Sequence, residues 1–275
     1  MKINTQVDSL KNKILTISIV TYNPDLYEFR TALAALADAL SPFNPSSIGI
    51  MIVDNSEMDV VSPIIREVLS NWKTKFINGH GNIGFGRAHN LTLPSIGEFH
   101  LILNPDIVMD GLALRNALDF MRENPDCGLL SPRAYWPDGI RQYLCKRYPT
   151  ILDLLLRGFA PKRVQELFEK RLSKYEMRAE TENDVFWNPP IVSGCFMLFR
   201  GKILEQTGGF DPEYFLYFED FDLSIRSGRI TNVVYSPNVR VVHTGGNTAR
   251  KGRWHIWQFF RSSLKFYKDH GFRLI

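Results

Sequence analysis

The sequence predicts an α/β fold: a Rossmann-like, mixed, mostly parallel central sheet flanked by helices, with a helical insertion and a C-terminal helix. Two largely β-branched runs, 14–20 and 48–53, are continuous and mainly apolar, as strands buried on both faces are. Segments with apolar residues at helical spacing alternate with the strands, the rhythm of a parallel sheet with crossover helices. Each strand also stops at polar, turn-forming residues, where open α/β sheets bind ligands.

Composition narrows the function. The 275 residues are 44% hydrophobic, enough for one large domain or two small ones with a real core. A charged fraction of 23% is ordinary, and a net charge of +4 suits an anionic ligand such as a nucleotide or lipid diphosphate. That charge is too small to argue for nucleic acid. The three cysteines (Cys127, Cys145, Cys195) have no CxxC spacing and an odd count, so no disulfide framework is expected and a reducing cytosol fits. No apolar run reaches the roughly 18–20 residues of a membrane span. Residues 1–13 lack the apolar core of a signal peptide. A cytoplasmic protein follows, soluble or peripheral at the inner face of the cytoplasmic membrane.

In chain order, the strand 14–20 runs into Thr21-Tyr22-Asn23-Pro24, a loop signal, and 26–40 carries a helical pattern rich in Ala. The strand 48–53 ends in Asp54-Asn55-Ser56; a helix over 59–72 and a short strand over 75–77 follow. Residues 79–90 hold four glycines in eight positions before a helix start. Such a loop lets backbone N–H groups approach a phosphate, or is simply a flexible turn. It is not the dinucleotide fingerprint, whose first glycine follows the first strand.

The centre of the chain is His100-Leu101-Ile102-Leu103-Asn104-Pro105-Asp106, a short strand that Pro105 ends. It delivers Asn104 and Asp106 to the sheet rim, oxygen ligands suited to a hard cation, although Asn-Pro-Asp is also a turn sequence. A helix over 111–124, a strand over 127–132 and a hairpin turn at Asp138-Gly139 come next. Residues 143–181 pair an apolar patch (Leu152, Leu155, Phe159) with many basic residues. This pattern fits a mobile helical insertion contacting membrane or acceptor, or a helical hairpin packed on the core.

The strand 192–199 begins with small residues, a point of close approach. The aromatic-rich stretch 215–218 then runs into Glu219, Asp220 and Asp222 at a helix start. These acids either favour the helix dipole or include a general base in aromatic surroundings. Late strands are expected over 233–235 and 239–242, and His243 stands at a strand end, as a structural hydrogen-bonder or a ligand.

Together these stretches resemble the family 2 glycosyltransferases of GT-A fold, more closely the bacterial rhamnosyltransferase-like branch. Six motifs in order carry the resemblance: 18–23, 53–56, 81–90, 103–106, 218–222 and 242–246, with Arg147-Tyr148-Pro149-Thr150 and 154–157 beside them. It implies one GT-A domain over 1–275, with a nucleotide-binding half near 14–100 and a metal and acceptor half near 101–245 that contains the insertion 143–181. It also implies a nucleotide-sugar donor, Mg²⁺ or Mn²⁺, and displacement with inversion at the anomeric carbon. By resemblance, Thr21, Tyr22, Asn23, Asp54 and Asn55 hold the nucleoside, and Asn82, Gly84, Phe85 and Arg87 lie near the donor. Asp106 becomes the chief metal ligand of a DxD motif whose first Asp is here Asn104, and His243 a further ligand. Asp220 matches the acceptor base, with Glu219 the second candidate.

The branch implies dTDP-L-rhamnose as donor and a saccharide or polyprenyl-diphosphate-linked saccharide as acceptor, in bacterial surface polysaccharide synthesis. Other nucleotide sugars, a nucleotidyltransferase and a non-catalytic sugar-binding module are the alternatives. Thr21-Tyr22-Asn23-Pro24 disfavours the nucleotidyltransferase, which places a Gly-rich basic loop after its first strand. The basic, aromatic run 250–273 fits a membrane surface or a terminal helix packed on the domain.

Overall fold

Strand β1 (Leu15–Thr21) is buried along its whole length and pairs in parallel with β2 (Ile48–Asp54), which sets Thr21 opposite Asp54. The computed structural model describes Leu10, residues 12–245 and residues 252–274. Motif residue Gly246 and run residues Arg250 and Lys251 lie outside the described residues, as do most of residues 1–13. Helix α1 (Leu26–Leu40) starts where Asp25 accepts from the amides of Tyr27 and Glu28, and it lays Phe29, Leu33, Leu36 and Leu40 on the sheet. Burying apolar side chains of this size stabilises by about 1.5–3 kcal/mol each. Helix α2 (Ser62–Val68) and strand β3 (Thr74–Ile77) complete the first βαβαβ unit.

The Gly-rich loop leads into α3 (Phe85–Asn90), followed by β4 (Phe99–Leu103), β5 (Ile107–Met109), α4 (Ala113–Glu123) and β6 (Cys127–Tyr135). The turn at Asp138-Gly139 closes the hairpin from β6 to β7 (Arg141–Gln142), with Gly139 at φ +81°. The insertion holds β8 (Cys145–Lys146) and three helices, α5 (Ile151–Phe159), α6 (Lys162–Leu167) and α7 (Glu169–Tyr175). Strands β9 (Phe186–Trp187), β10 (Ile191–Val192) and β11 (Phe196–Arg200) follow, then α8 (Gly201–Thr207), α9 (Glu219–Gly228), β12 (Asn232–His243) and α10 (Arg253–His270).

The main sheet runs β3-β2-β1-β4-β11-β6-β12-β5. Its first four strands are parallel; β11 runs antiparallel between β4 and β6, which makes the sheet mixed. The expected strands 233–235 and 239–242 form one strand, β12, with a register shift between Ser236 and Arg240. Pro237 and Asn238 fall there; the proline cannot donate to a ladder, so the strand bulges and pairing resumes beyond it. This bulged strand carries His243 alongside β5, opposite Ile107 and one residue from Asp106.

Helix α10 is folded onto the domain. Phe266 and Tyr267 are buried, Tyr148 stacks on Phe266 (5.3 Å), and the Tyr267 hydroxyl donates to the Pro149 carbonyl. Phe159 of α5 stacks on Phe260 (5.7 Å), so insertion and terminal helix hold each other. No helix among the described residues is long and apolar enough to cross a membrane.

Candidate active site

The carboxyl ends of β1 and β2 build one wall of the site. Thr21 donates from Oγ1 to Asp54 Oδ1 (2.9 Å), and Ser56 donates to the same oxygen through Oγ (2.6 Å) and its amide (3.1 Å). The Asn23 amide donates to Ser56 Oγ (2.8 Å), fixing the loop after β1 against the loop after β2. Asp54 Oδ2 is buried and has no partner. A buried carboxylate oxygen without a donor is costly, and a nucleobase N–H would satisfy it. Tyr22 is 56% exposed beside this wall, an open aromatic face.

Asn55 joins this wall to the Gly-rich loop: its Nδ2 donates to the Gly84 carbonyl (3.2 Å), and its Oδ1 lies 3.0 Å from His80 Nε2. Asn82 Oδ1 accepts from the Gly84 amide (3.1 Å). Gly84 has φ +91°, and a Cβ there would lie 2.4 Å from the Phe215 carbonyl oxygen, so only glycine fits. Phe85 packs edge-on against His89 (4.5 Å between centroids) and Phe210 (5.7 Å). His89 lies 2.8 Å from Ser18 Oγ and anchors α3 to the sheet; burial holds its imidazole well below the usual range, hence neutral. Arg87 departs from this group. Its Nε donates to the Pro212 carbonyl, and no described contact joins it to Asp54 or Asn55.

Asp106 follows β4, and its Oδ2 stands 3.6 Å from His243 Nε2. Its Oδ1 is buried with no partner. Gln142, which sequence reasoning did not single out, sets the histidine's orientation. Its Nε2 donates to the His243 carbonyl (2.7 Å), which turns Oε1 toward His243 Nδ1 (3.1 Å). An amide oxygen only accepts, so Nδ1 carries the hydrogen, and in the neutral ring Nε2 turns its lone pair toward Asp106. Two electron-rich atoms facing across 3.6 Å suit a divalent cation between them. Gly245 keeps that space open, since a Cβ there would come 2.2 Å from Asp106 Oδ2. Asn104 is placed by its amide, which donates to the Cys195 carbonyl (2.9 Å).

Glu219 and Asp220 open α9 and diverge at once. Glu219 is buried, its Oε2 has no partner, and burial and then the Asp220 charge push its carboxyl above the ordinary range. Asp220 is only partly buried and accepts from the amides of Gly194 (2.8 Å, to Oδ2) and Phe221 (3.0 Å, to Oδ1). Burial raises its carboxyl too, and those two amides oppose the rise. Asp222 is structural: it pairs with Arg226 (2.7 Å) and His270 (2.9 Å). Just before the acids, Tyr217 and Phe218 hold φ of +70° and +66°, a left-handed conformation costly for aromatic residues. Helix α10 imposes it. Phe218 packs on Phe259 (5.1 Å) and Phe266 (5.3 Å), and the Tyr217 hydroxyl lies 2.9 Å from His255 Nδ1.

The chain is 25% identical to N-acetylglucosaminyl-diphospho-decaprenol L-rhamnosyltransferase of Mycobacterium tuberculosis, over 93% of this chain and 84% of that protein. It is 24% identical to rhamnosyltransferase WbbL of Escherichia coli, over 77% of this chain and 80% of the relative. No protein-family profile matches. Among solved structures, GalNAc-T7 with UDP, GalNAc and Mn²⁺ superposes with TM-score 0.63 at 16% identity, covering 87% of this chain and 44% of that one. The mannosyltransferase PcManGT of Pyrobaculum calidifontis, with GDP-Man and Mn²⁺, gives 0.59 at 18% identity, covering 94% and 66%. The chain is a glycosyltransferase of GT-A fold. In this glycosyltransferase the strand ends bring together Thr21, Asn23, Asp54 and Asn55 on one side and Asp106 with His243 on the other. Gly194 and Cys195 link the second group to Asp220.

Proposed function

We propose that this glycosyltransferase moves L-rhamnose from dTDP-L-rhamnose, with inversion, onto a saccharide or polyprenyl-diphosphate-linked saccharide of a bacterial surface polysaccharide. The observation that carries the reading is Asp106 and His243 facing each other across 3.6 Å, with Asp220 tied to the same strand ends through Gly194. Asp106 and His243 would hold Mg²⁺ or Mn²⁺, leaving other positions to diphosphate oxygens and water. Such a cation, when bound, neutralises charge growing on the leaving diphosphate. Thr21, Tyr22, Asn23, Asp54 and Asn55 hold the nucleoside, and Asn82, Gly84 and Phe85 shape the loop beside it. Asp220 accepts the proton of the attacking acceptor hydroxyl, and one base suffices for direct inversion. Glu219, buried beside Asp220, props the helix start.

The donor sugar and the lipid-linked acceptor rest on the rhamnosyltransferase names of the relatives. A cytoplasmic site at the inner membrane face fits such an acceptor. Exposed Trp254, Trp257, Phe260 and Leu264 on α10, with Arg253, Arg261 and Lys268, support contact with anionic lipid. Sedimentation with anionic but not neutral liposomes tests that contact.

A thermal-shift series with Mn²⁺ tests the donor. Ligand at 100 times its Kd stabilises the folded state by about 2.7 kcal/mol. dTDP-L-rhamnose should raise the melting temperature more than UDP-glucose or UDP-galactose; the reverse order would reassign the sugar.

A further inference from the structure

Between α3 and α10 lies a pocket of about 310 Å³, lined by Arg87, Glu213, Phe215, Gln258, Arg261 and Lys265 among others. We infer that it is a second anion site, taking the diphosphate of a lipid-borne sugar diphosphate. The inference rests on the lipid-linked acceptor reading and adds a place for that acceptor's charged group.

Three cations line the pocket, but they are not equivalent. Lys265 is engaged by Asp211 (2.9 Å), Glu213 (2.6 Å) and Asp269 (2.9 Å). Arg87 uses only Nε on Pro212, which leaves its terminal nitrogens for a ligand. Arg261 lies 5.6 Å from the Trp257 ring centroid. No described carboxylate pairs with Arg87 or Arg261, so their charge meets solvent or an anion. Guanidinium groups bind phosphate oxygens through paired N–H donors.

Gln258 supplies the second, independent observation. It is 5% exposed, and its Oε1 has no partner. A buried polar atom without a partner costs stability that a ligand can return. A sugar hydroxyl or amide next to the diphosphate donates to this oxygen while the arginines take the phosphates.

The surroundings choose the ligand's remaining parts. Trp254, Trp257 and Leu264 on α10 are exposed near Arg261, an apolar stripe for a prenyl chain. The chain runs from Phe215 at the pocket wall through 216–218 into Glu219 and Asp220, so one short segment joins this pocket to the proposed base. Arg87, placed with the donor by resemblance, belongs by contact to this pocket.

Farnesyl diphosphate is the probe, in EDTA so that the cation site cannot contribute, with intrinsic tryptophan fluorescence as readout. Wild-type protein should bind it, and Arg261→Gln should weaken binding about tenfold or more, the usual loss for a charge-assisted hydrogen bond. Gln258→Ala should weaken binding of a sugar-bearing prenyl diphosphate and leave farnesyl diphosphate, which has no sugar, unaffected. Pyrophosphate should bind less tightly than farnesyl diphosphate; equal affinities would assign the site to free phosphate esters and overturn the lipid-borne ligand. Absence of binding, or equal binding by wild type and Arg261→Gln with matching melting curves, would overturn the site. Release of nucleoside diphosphate from dTDP-L-rhamnose with Mg²⁺ tests glycosyl transfer separately, so the two failures are distinguishable.

Discussion

Asp220 takes a 2.8 Å hydrogen bond from the Gly194 amide, and the next residue, Cys195, accepts one from Asn104 (2.9 Å). Two adjacent residues thereby tie the proposed base to the end of the strand that carries Asp106. A Cβ on residue 194 would come 3.0 Å from Asp220 Cβ, so the small residues before β11 permit this approach. The proposed base and the proposed cation ligands are thus tied to neighbouring backbone, the arrangement that positioning catalysis requires.

Asp220→Asn keeps shape and loses the proton acceptor. Its kcat should fall about 10²–10⁴-fold, with donor affinity nearly unchanged. Because burial raises the Asp220 carboxyl, the acid limb of wild-type kcat/KM should lie above an ordinary aspartate, and the residual activity of the variant should lack that limb. If Glu219→Gln is dead and Asp220→Asn active, the roles are exchanged.

Asp106→Ala should abolish cation-dependent donor binding and leave folding intact. Its side chain stands at the rim with one oxygen already unpartnered, so stability should change by about 1 kcal/mol or less. Cation-dependent activity retained in this variant would place the metal elsewhere.

Gln142→Leu removes the group that fixes the His243 ring. The Kd for Mn²⁺, read by electron paramagnetic resonance, should rise about 10- to 100-fold, the usual effect of losing a partner behind a metal-ligating histidine. An unchanged Kd would reduce Gln142 to a packing role.

The local parts of this design were legible in the sequence. Buried β-branched runs, the stop at Pro105 and the acids at a helix start are each written within a few residues. Gln142 was not legible: it meets His243 from 101 positions away and carries no local signal. Arg87 sits inside a Gly-rich motif, yet its side chain faces Pro212 because a helix start projects successive side chains about 100° apart. The two late strands read as separate because Pro237 hides the bulge that joins them. The basic insertion was ambiguous because its charges serve an internal cluster, visible only once folded.

That cluster predicts a pH dependence of stability. Burial alone would raise the Glu176 carboxyl, but Lys146 and Arg157, with hydrogen bonds from Arg157 and Arg178, pull it down to about 2. A depressed carboxylate contributes stability that is present above its unfolded pKa, about 4.5, and is lost as pH falls toward 2. Glu176→Gln should melt below wild type at pH 7, and the gap should close between about pH 4.5 and 2. A gap independent of pH would remove Glu176 from this role.

Glycosyl transfer at Asp106, His243 and Asp220 can be followed by phosphorus-31 NMR of a complete reaction. With dTDP-L-rhamnose, Mg²⁺ and a lipid-diphosphate-linked N-acetylglucosamine, dTDP should accumulate one for one with a rhamnosylated product of inverted anomeric configuration. Release of pyrophosphate, or intact donor after prolonged incubation with folded protein, would rule out glycosyl transfer at this site.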